Sequence, residues 1–176
     1  MVSIGRPAGA VPVPDDAPAA VSRLYRQHWL GLVRLAVLVV DDRQSAEDLV
    51  QEAFAELYRR WPLDDADKAL GYLRTTVLNR SRSVLRRRRV ARLYTPPALR
   101  PEISAESEVV LSEDRLEVQQ ALRKLPTRTR EVLVLRYYLD LPHAEIAQIL
   151  GISESTARST ASRGLGILTE QLKESR

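Results

Sequence analysis

Apolar positions recur along this chain at intervals of three and four, the period of an α-helix. They do not alternate at the period of two that a half-buried strand needs. The pattern predicts an all-α protein. The first stripe, Val21, Leu24, Tyr25, Trp29, Leu32, Val33, Ala36 and Val37, predicts a helix from about Ala19 to Val40, ended by Asp41-Asp42. A second helix, from about Gln44 to Trp61, buries Ala46, Leu49, Val50, Ala53, Phe54, Leu57 and Tyr58. Its opposite face carries Glu47, Asp48, Gln51, Glu52 and Glu56, and Pro62 stops it. A third helix, from near Lys68 to about Arg92, offers Leu70, Tyr72, Leu73, Val77, Leu78, Val84 and Leu85 to a core. A fourth, from about Glu113 to Lys124, offers Leu116, Val118, Ala121, Leu122 and then Leu125, before Pro126 breaks it. A fifth runs to about Tyr138 with Thr127 as its N-cap, burying Val132, Leu133, Leu135 and Tyr138.

The stretch 142–168 carries the most information. Ala144, Ile146, Ala147, Ile149 and Leu150 form one short apolar stripe. Gly151 can take the left-handed backbone of a helix end, Ile152 plugs the turn, and Ser153 is a good N-cap for a second helix. That second helix presents Ser155, Thr156, Arg158, Ser159, Ser162 and Arg163 and continues through Leu165, Ile167, Leu168 and Leu172. Gly164 and Gly166 are expected to loosen it. A short helix, a glycine turn and a hydroxyl- and arginine-rich helix make a helix-turn-helix, whose second helix enters the DNA major groove. Ala147 is small where the two helices would cross.

Between the helices lie segments of other character. Residues 1–18, with Pro7, Pro12, Pro14 and Pro18, read as a flexible tail. Residues 62–67 form an acidic loop. Residues 93–112, with Pro96, Pro97 and Pro101 followed by Glu102, Glu106 and Glu108, read as a linker. The chain therefore divides into two small helical domains, residues 19–92 and 113–176.

Charge placement sharpens the picture. Arg80, Arg82, Arg86, Arg87, Arg88, Arg89 and Arg92 crowd the end of the third helix, too densely for neighbouring carboxylates to neutralise. Phosphate is the natural counterion for such a run, and the net charge of +4 agrees. There is no cysteine, so disulfides and thiol catalysis are excluded. His28 and His143 stand far apart and outside any ligand cluster, and no metal or other cofactor is expected. Asp64, Asp65 and Asp67 could hold a cation, but an acidic loop tip is more often simply solvated. No phosphate-binding glycine loop or nucleophile–base pair points to an enzyme. No apolar run reaches membrane-spanning length and no signal peptide begins the chain, so the expected location is the cytoplasm, on the nucleoid, without membrane insertion.

Taken together, residues 20–172 resemble a bacterial sigma-70 family sigma factor of the extracytoplasmic-function (ECF) type, most nearly its sigma-E-like actinobacterial branch. Ala46-Glu47-Asp48-Leu49-Val50-Gln51-Glu52-Ala53-Phe54 is similar to the region 2 helix that docks on the β′ coiled-coil of RNA polymerase. Leu73 to Arg82 is similar to the part of region 2 that melts and reads the −10 element. Leu125-Pro126-Thr127-Arg128-Thr129-Arg130-Glu131-Val132-Leu133, with Ala144–Ala147 and Leu150–Ser153, resembles region 4, which reads the −35 element and meets the β flap.

The resemblance implies a division of roles. Asp48, Leu49, Gln51, Glu52 and Phe54 would bind core polymerase. Trp61, Leu63, Asn79, Arg80, Arg82, Arg86 and Arg87 would hold the −10 element and its melted non-template strand, with the loop at 62–67 and Asn79 capturing an unstacked base. Ser155, Thr156, Arg158, Ser159, Ser162 and Arg163 would read the double-stranded −35 element, with Arg128 and Arg130 on phosphates. At Thr160-Ala161-Ser162 and Gly164 the family usually has a bulkier, more basic run. The chain shows no region 3 and no N-terminal inhibitory domain, the minimal ECF arrangement, which implies an anti-sigma factor as a further partner. A stand-alone DNA-binding regulator is the competing reading, but it leaves residues 19–92 without a task.

Overall fold

A computed structural model describes residues 17–61, 66–94 and 113–174. Among them the chain is helical, and no strand occurs. The predicted tail up to residue 16, most of the acidic loop, Leu63 and most of the predicted linker lie outside the described residues.

The first three helices form one bundle: α1 (Ala17–Val40), α2 (Arg43–Arg60) and α3 (Ala66–Tyr94). Helix α1 starts two residues before its predicted position, with Pro18 inside its first turn. Proline is tolerated there, because first-turn N–H groups have no helical acceptor. At its other end Asp41 takes a left-handed backbone, φ 62°, and its N–H bonds the Val37 carbonyl at 3.0 Å. Asp42 then caps α2, its Oδ2 accepting from the Ser45 N–H at 2.9 Å. The two acids thus make a corner, one turning the chain and the other starting the next helix.

Leu73, Val77 and Leu78 of α3 are fully buried among Val50, Ala53 and Leu57 of α2 and Leu32, Val33 and Ala36 of α1. The buried face of α1 is wider than the stripe read from the sequence. It adds Leu35, Val39 and Val40, because helices from the second half of the chain also contact α1. Tyr25 and Tyr58, predicted to be buried, are about half exposed. Tyr25 nevertheless packs edge-on to Phe54, ring centroids 5.0 Å apart.

The second bundle comprises α4 (Glu113–Lys124), α5 (Thr127–Leu133), a π-helical turn (Val134–Tyr138), α6 (His143–Leu150) and α7 (Glu154–Glu174). Thr127 is not the cap of α5. Pro126 holds that position and no side chain caps the helix. The predicted fifth helix also changes character at Val134. Its last turn widens to i→i−5 bonding, with the Leu139 N–H on the Val134 carbonyl at 3.2 Å. The widened turn buries Val134 and Leu135 but leaves Tyr138 about half exposed, against expectation. Ala144 is likewise exposed, while Ile146, Ala147, Ile149 and Leu150 pack inward.

The two bundles share one continuous buried cluster. Helices α4 and α5 meet α1, and α6 meets α3.

Candidate nucleic-acid interface

The turn between α6 and α7 forms as its residues dictate. Gly151 adopts a left-handed backbone, φ 64°, and the Ile152 N–H closes on the Ala147 carbonyl at 3.0 Å. Ser153 Oγ accepts from the Thr156 N–H at 3.1 Å and lies 2.7 Å from the Thr156 hydroxyl and 3.0 Å from that of Ser155. Helix α7 then buries only small residues, Ala157, Ala161 and Gly164. A Cβ built on Gly164 would lie 2.5 Å from Thr129 Cγ2 and 3.2 Å from Leu133 Cδ1, so glycine is what lets α7 press onto α5. Far from loosening α7, Gly164 and Gly166 sit inside a helix that runs unbroken to Glu174.

With its small residues inward, α7 presents Ser155, Thr156, Arg158, Ser159, Ser162 and Arg163 to solvent, as expected. Arg158 donates to Glu154 at 2.8 Å and Arg163 to the Ser159 carbonyl at 3.3 Å, both within the same exposed helix face. Such contacts are weak and exchange readily for a stronger acceptor.

The other two arginines assigned to this half are differently placed. Arg128 is partly exposed and reaches Glu131 Oε2 at 3.4 Å. Arg130 is buried. It donates to the Val39 carbonyl at 2.7 Å and the Arg123 carbonyl at 2.6 Å, and pairs with Asp41 at 3.4 Å. In this arrangement it joins the bundles rather than facing phosphate.

Within the arginine run of α3, Arg80, Arg82 and Arg88 do find carboxylates, contrary to the reading of their density. The partners come from elsewhere in the chain, where neighbours in sequence cannot reveal them. Arg80 lies against Glu52 and donates to Glu56 at 3.1 Å, both on the acidic face of α2. The Tyr72 hydroxyl and Arg80 hold the Glu56 carboxyl below the ordinary range. Arg82 donates through Nε to Glu131 at 2.6 Å and through Nη1 to Asn79 Oδ1 at 2.7 Å. Arg88 staples α3 to the α1–α2 corner through the Val40 carbonyl at 2.8 Å, Ser45 Oγ at 2.7 Å and Asp42 at 3.1 Å. Arg86 and Arg87 remain exposed, as does Asn79, and Trp61 is half-buried at the end of α2. Glu56, Thr76, Asn79, Arg80 and Ser83 line a shallow cleft between α2 and α3.

Of the residues assigned to polymerase, Asp48, Gln51 and Glu52 are exposed on one face of α2. Leu49 and Phe54 are buried beneath it, so they shape that face without forming it.

Several residues with long-range partners carried no signal in the sequence. Arg74 pairs with Glu145 of α6 at 2.8 Å. Arg123 reaches Asp41 at 3.1 Å. Glu131 is fully buried, and that burial raises its pKa even with Arg82 and Arg128 beside it.

The family model "Sigma-70 region 2" matches residues 24–90, and "Sigma-70, region 4" matches residues 115–168. The chain is 33% identical over 143 residues to the RNA polymerase sigma-E factor of Streptomyces coelicolor, covering 81% of this chain and 80% of that protein. It is 33% identical over 166 residues to the ECF RNA polymerase sigma factor SigL of Mycobacterium tuberculosis, covering 90% and 92%. Among solved structures it is similar to the sigma factor RpoE of Bartonella quintana in complex with the anti-sigma factor NepR. That match has a TM-score of 0.72 at 22% identity, covering 88% of this chain and 98% of that one. CnrH in complex with the cytosolic domain of CnrY gives a TM-score of 0.66 at 24% identity, covering 91% and 96%.

Proposed function

The chain belongs to the sigma-70 family, in its extracytoplasmic-function type, and we propose how its two bundles divide the work of promoter-specific transcription initiation. It is an RNA polymerase sigma factor: it binds core RNA polymerase and directs it to promoter DNA. No helix among the described residues is long and apolar enough to cross a membrane.

In our reading residues 19–92 dock on the polymerase and open the −10 element, while residues 113–176 anchor the −35 element upstream. Asp48, Gln51 and Glu52 meet a basic helix of the polymerase, with Leu49 and Phe54 fixing their helix from below. Asn79, Arg80, Arg82, Arg86 and Arg87 serve the −10 strand. Helix α7 reads the −35 duplex through Arg158, Ser159, Ser162 and Arg163, with Ser155 and Thr156 at its N-terminal end. The chain acts in the cytoplasm and by binding alone; bond formation belongs to the polymerase. An inhibitor protein of the anti-sigma kind is a proposed partner, by analogy with the RpoE–NepR and CnrH–CnrY pairs.

The observation that carries this reading is the outer face of α7: six polar side chains exposed over a stripe of three small buried residues. Its test is run-off transcription with core polymerase beside a pull-down of core. Asp48→Ala with Glu52→Ala should weaken core capture while leaving binding to a −35 duplex intact. A chain that binds promoter DNA tightly alone and ignores core would instead be a stand-alone regulator.

A further inference from the structure

Several polar groups on the outer face of α7 are engaged by hydroxyls or carbonyls of their own stretch of chain. Ser153 Oγ meets the hydroxyls of Ser155 and Thr156, Ser159 Oγ donates to the Thr156 carbonyl at 3.2 Å, and Arg163 Nε donates to the Ser159 carbonyl at 3.3 Å. Arg158 differs, because its partner is a charged side chain. Its Nη2 donates to Glu154 Oε1 at 2.8 Å, one turn earlier on the same exposed face. Glu154 is the first residue of α7, at the end that a helix-turn-helix points towards base edges. It is not what starts the helix, since Ser153 Oγ already accepts from the Thr156 N–H. An exposed pair of this kind adds little to stability. Its consequence lies in what Arg158 can then touch.

We propose that Glu154 is a positioning residue for the −35 element: it aims the Arg158 guanidinium at the major-groove edge of a guanine and turns it away from phosphate. The proposal rests on the assignment of α7 to the −35 duplex. An arginine on such a helix has two kinds of acceptor within reach. Phosphate oxygens offer charge and no sequence information, whereas guanine N7 and O6 offer a neutral bidentate edge. Left alone, the charge of arginine favours phosphate. With Glu154 beside it, moving Arg158 to a phosphate also brings two anions together, and guanine imposes no such repulsion. The guanidinium has five N–H donors in a rigid fork, so one given to Glu154 leaves enough for both guanine acceptors. The pair thus exchanges affinity for any DNA against discrimination among sequences.

The test uses holoenzyme reconstituted from the full chain and core polymerase, on promoters that differ in single −35 base pairs. Arg158→Ala first locates the guanine, as the position where base preference disappears. At that position Glu154→Ala should lower discrimination roughly fivefold, part of what one bidentate arginine contributes. The free chain carrying Glu154→Ala should bind a duplex without promoter sequence more tightly, with a salt dependence steeper by about one phosphate contact. Glu154→Gln keeps an oxygen for Arg158 without the charge, so it should retain more discrimination than Glu154→Ala. In an Arg158→Ala background, Glu154→Ala should no longer change discrimination. A carboxylate that merely suited the helix dipole would behave otherwise. Its loss would lower the melting temperature and weaken binding to every duplex alike, and that result overturns the proposal. So does an unchanged preference in Glu154→Ala, a loss that persists without Arg158, or an Arg158→Ala protein that loses equally on every promoter. Failure of the −35 assignment itself looks different: Arg158→Ala and Arg163→Ala would then both leave transcription from every −35 variant at the parental level.

Discussion

In the proposed division of work helices α3 and α7 both offer arginine to DNA, yet they hold it on different terms. On α7, Arg158 and Arg163 bond within their own exposed helix face. On α3, Arg80 and Arg82 are held by carboxylates from other helices and Arg88 by Asp42 of the α1–α2 corner. The count of basic residues therefore overstates what α3 can give at any moment and understates α7. The cause is packing. Helix α7 buries alanine and glycine on its inner side, so its long polar side chains need no internal partner. Helix α3 packs within its own bundle on one side and meets the second bundle on the other, and its long side chains reach acids on both sides.

The contrast can be broken at its sharpest point by Gly164→Leu. A side chain there must displace Thr129 and Leu133. Thermal denaturation should show a loss of about 3 kcal/mol, the upper range for overpacking, with −35 duplex binding falling alongside. Arg158→Ala should leave stability untouched and cost roughly 2 kcal/mol of discrimination among −35 sequences, read from run-off transcription on base-substituted promoters. Equal losses on every promoter would mean that Arg158 touches phosphate only.

Asp42→Ala probes the guarded side of the comparison. It removes the α2 cap and one partner of Arg88, and should cost about 1 kcal/mol in denaturant titrations. Burial pushes the Asp42 carboxyl up, but Ser45 and Arg88 outweigh it and hold the pKa below its ordinary 3.8. The stabilisation is therefore complete above that value and is lost as the pH falls through the depressed native one. Below it, wild type and variant should converge in stability. The smallest effect is expected at Gly166, where an added methyl meets nothing within 4 Å. Gly166→Ala should stabilise α7 by about 0.5–1 kcal/mol, the opposite sign from its neighbour two residues earlier.

The local features of this fold were legible in the sequence. Helix positions came from apolar spacing, and Gly151 and Ser153 announced the turn because their chemistry acts within a few residues. The buried small side of α7 was only half legible: Gly164 looks like a weak helix residue until Thr129 is seen against it. The seam between the bundles was not legible at all. Arg82 and Glu131, or Arg74 and Glu145, carry no shared periodicity, and each reads alone as an ordinary surface charge. Arg130 shows the same blindness in reverse, a charged residue in a DNA-binding half that folding turns inward. The widened turn at Val134–Tyr138 was hidden because one more residue in the last turn leaves the apolar pattern before it unchanged.

Asp41 answers to two demands at once. Its left-handed backbone would suit glycine better, by roughly 1 kcal/mol on steric grounds. Yet its carboxylate is also the anchor for Arg123 and Arg130. Asp41→Gly would thus relax the corner while unmooring the neighbouring bundle, and optimising one helix exit would degrade the assembly of the whole. An acid where a glycine would fit the turn better thus serves the docking of the second bundle rather than the turn itself.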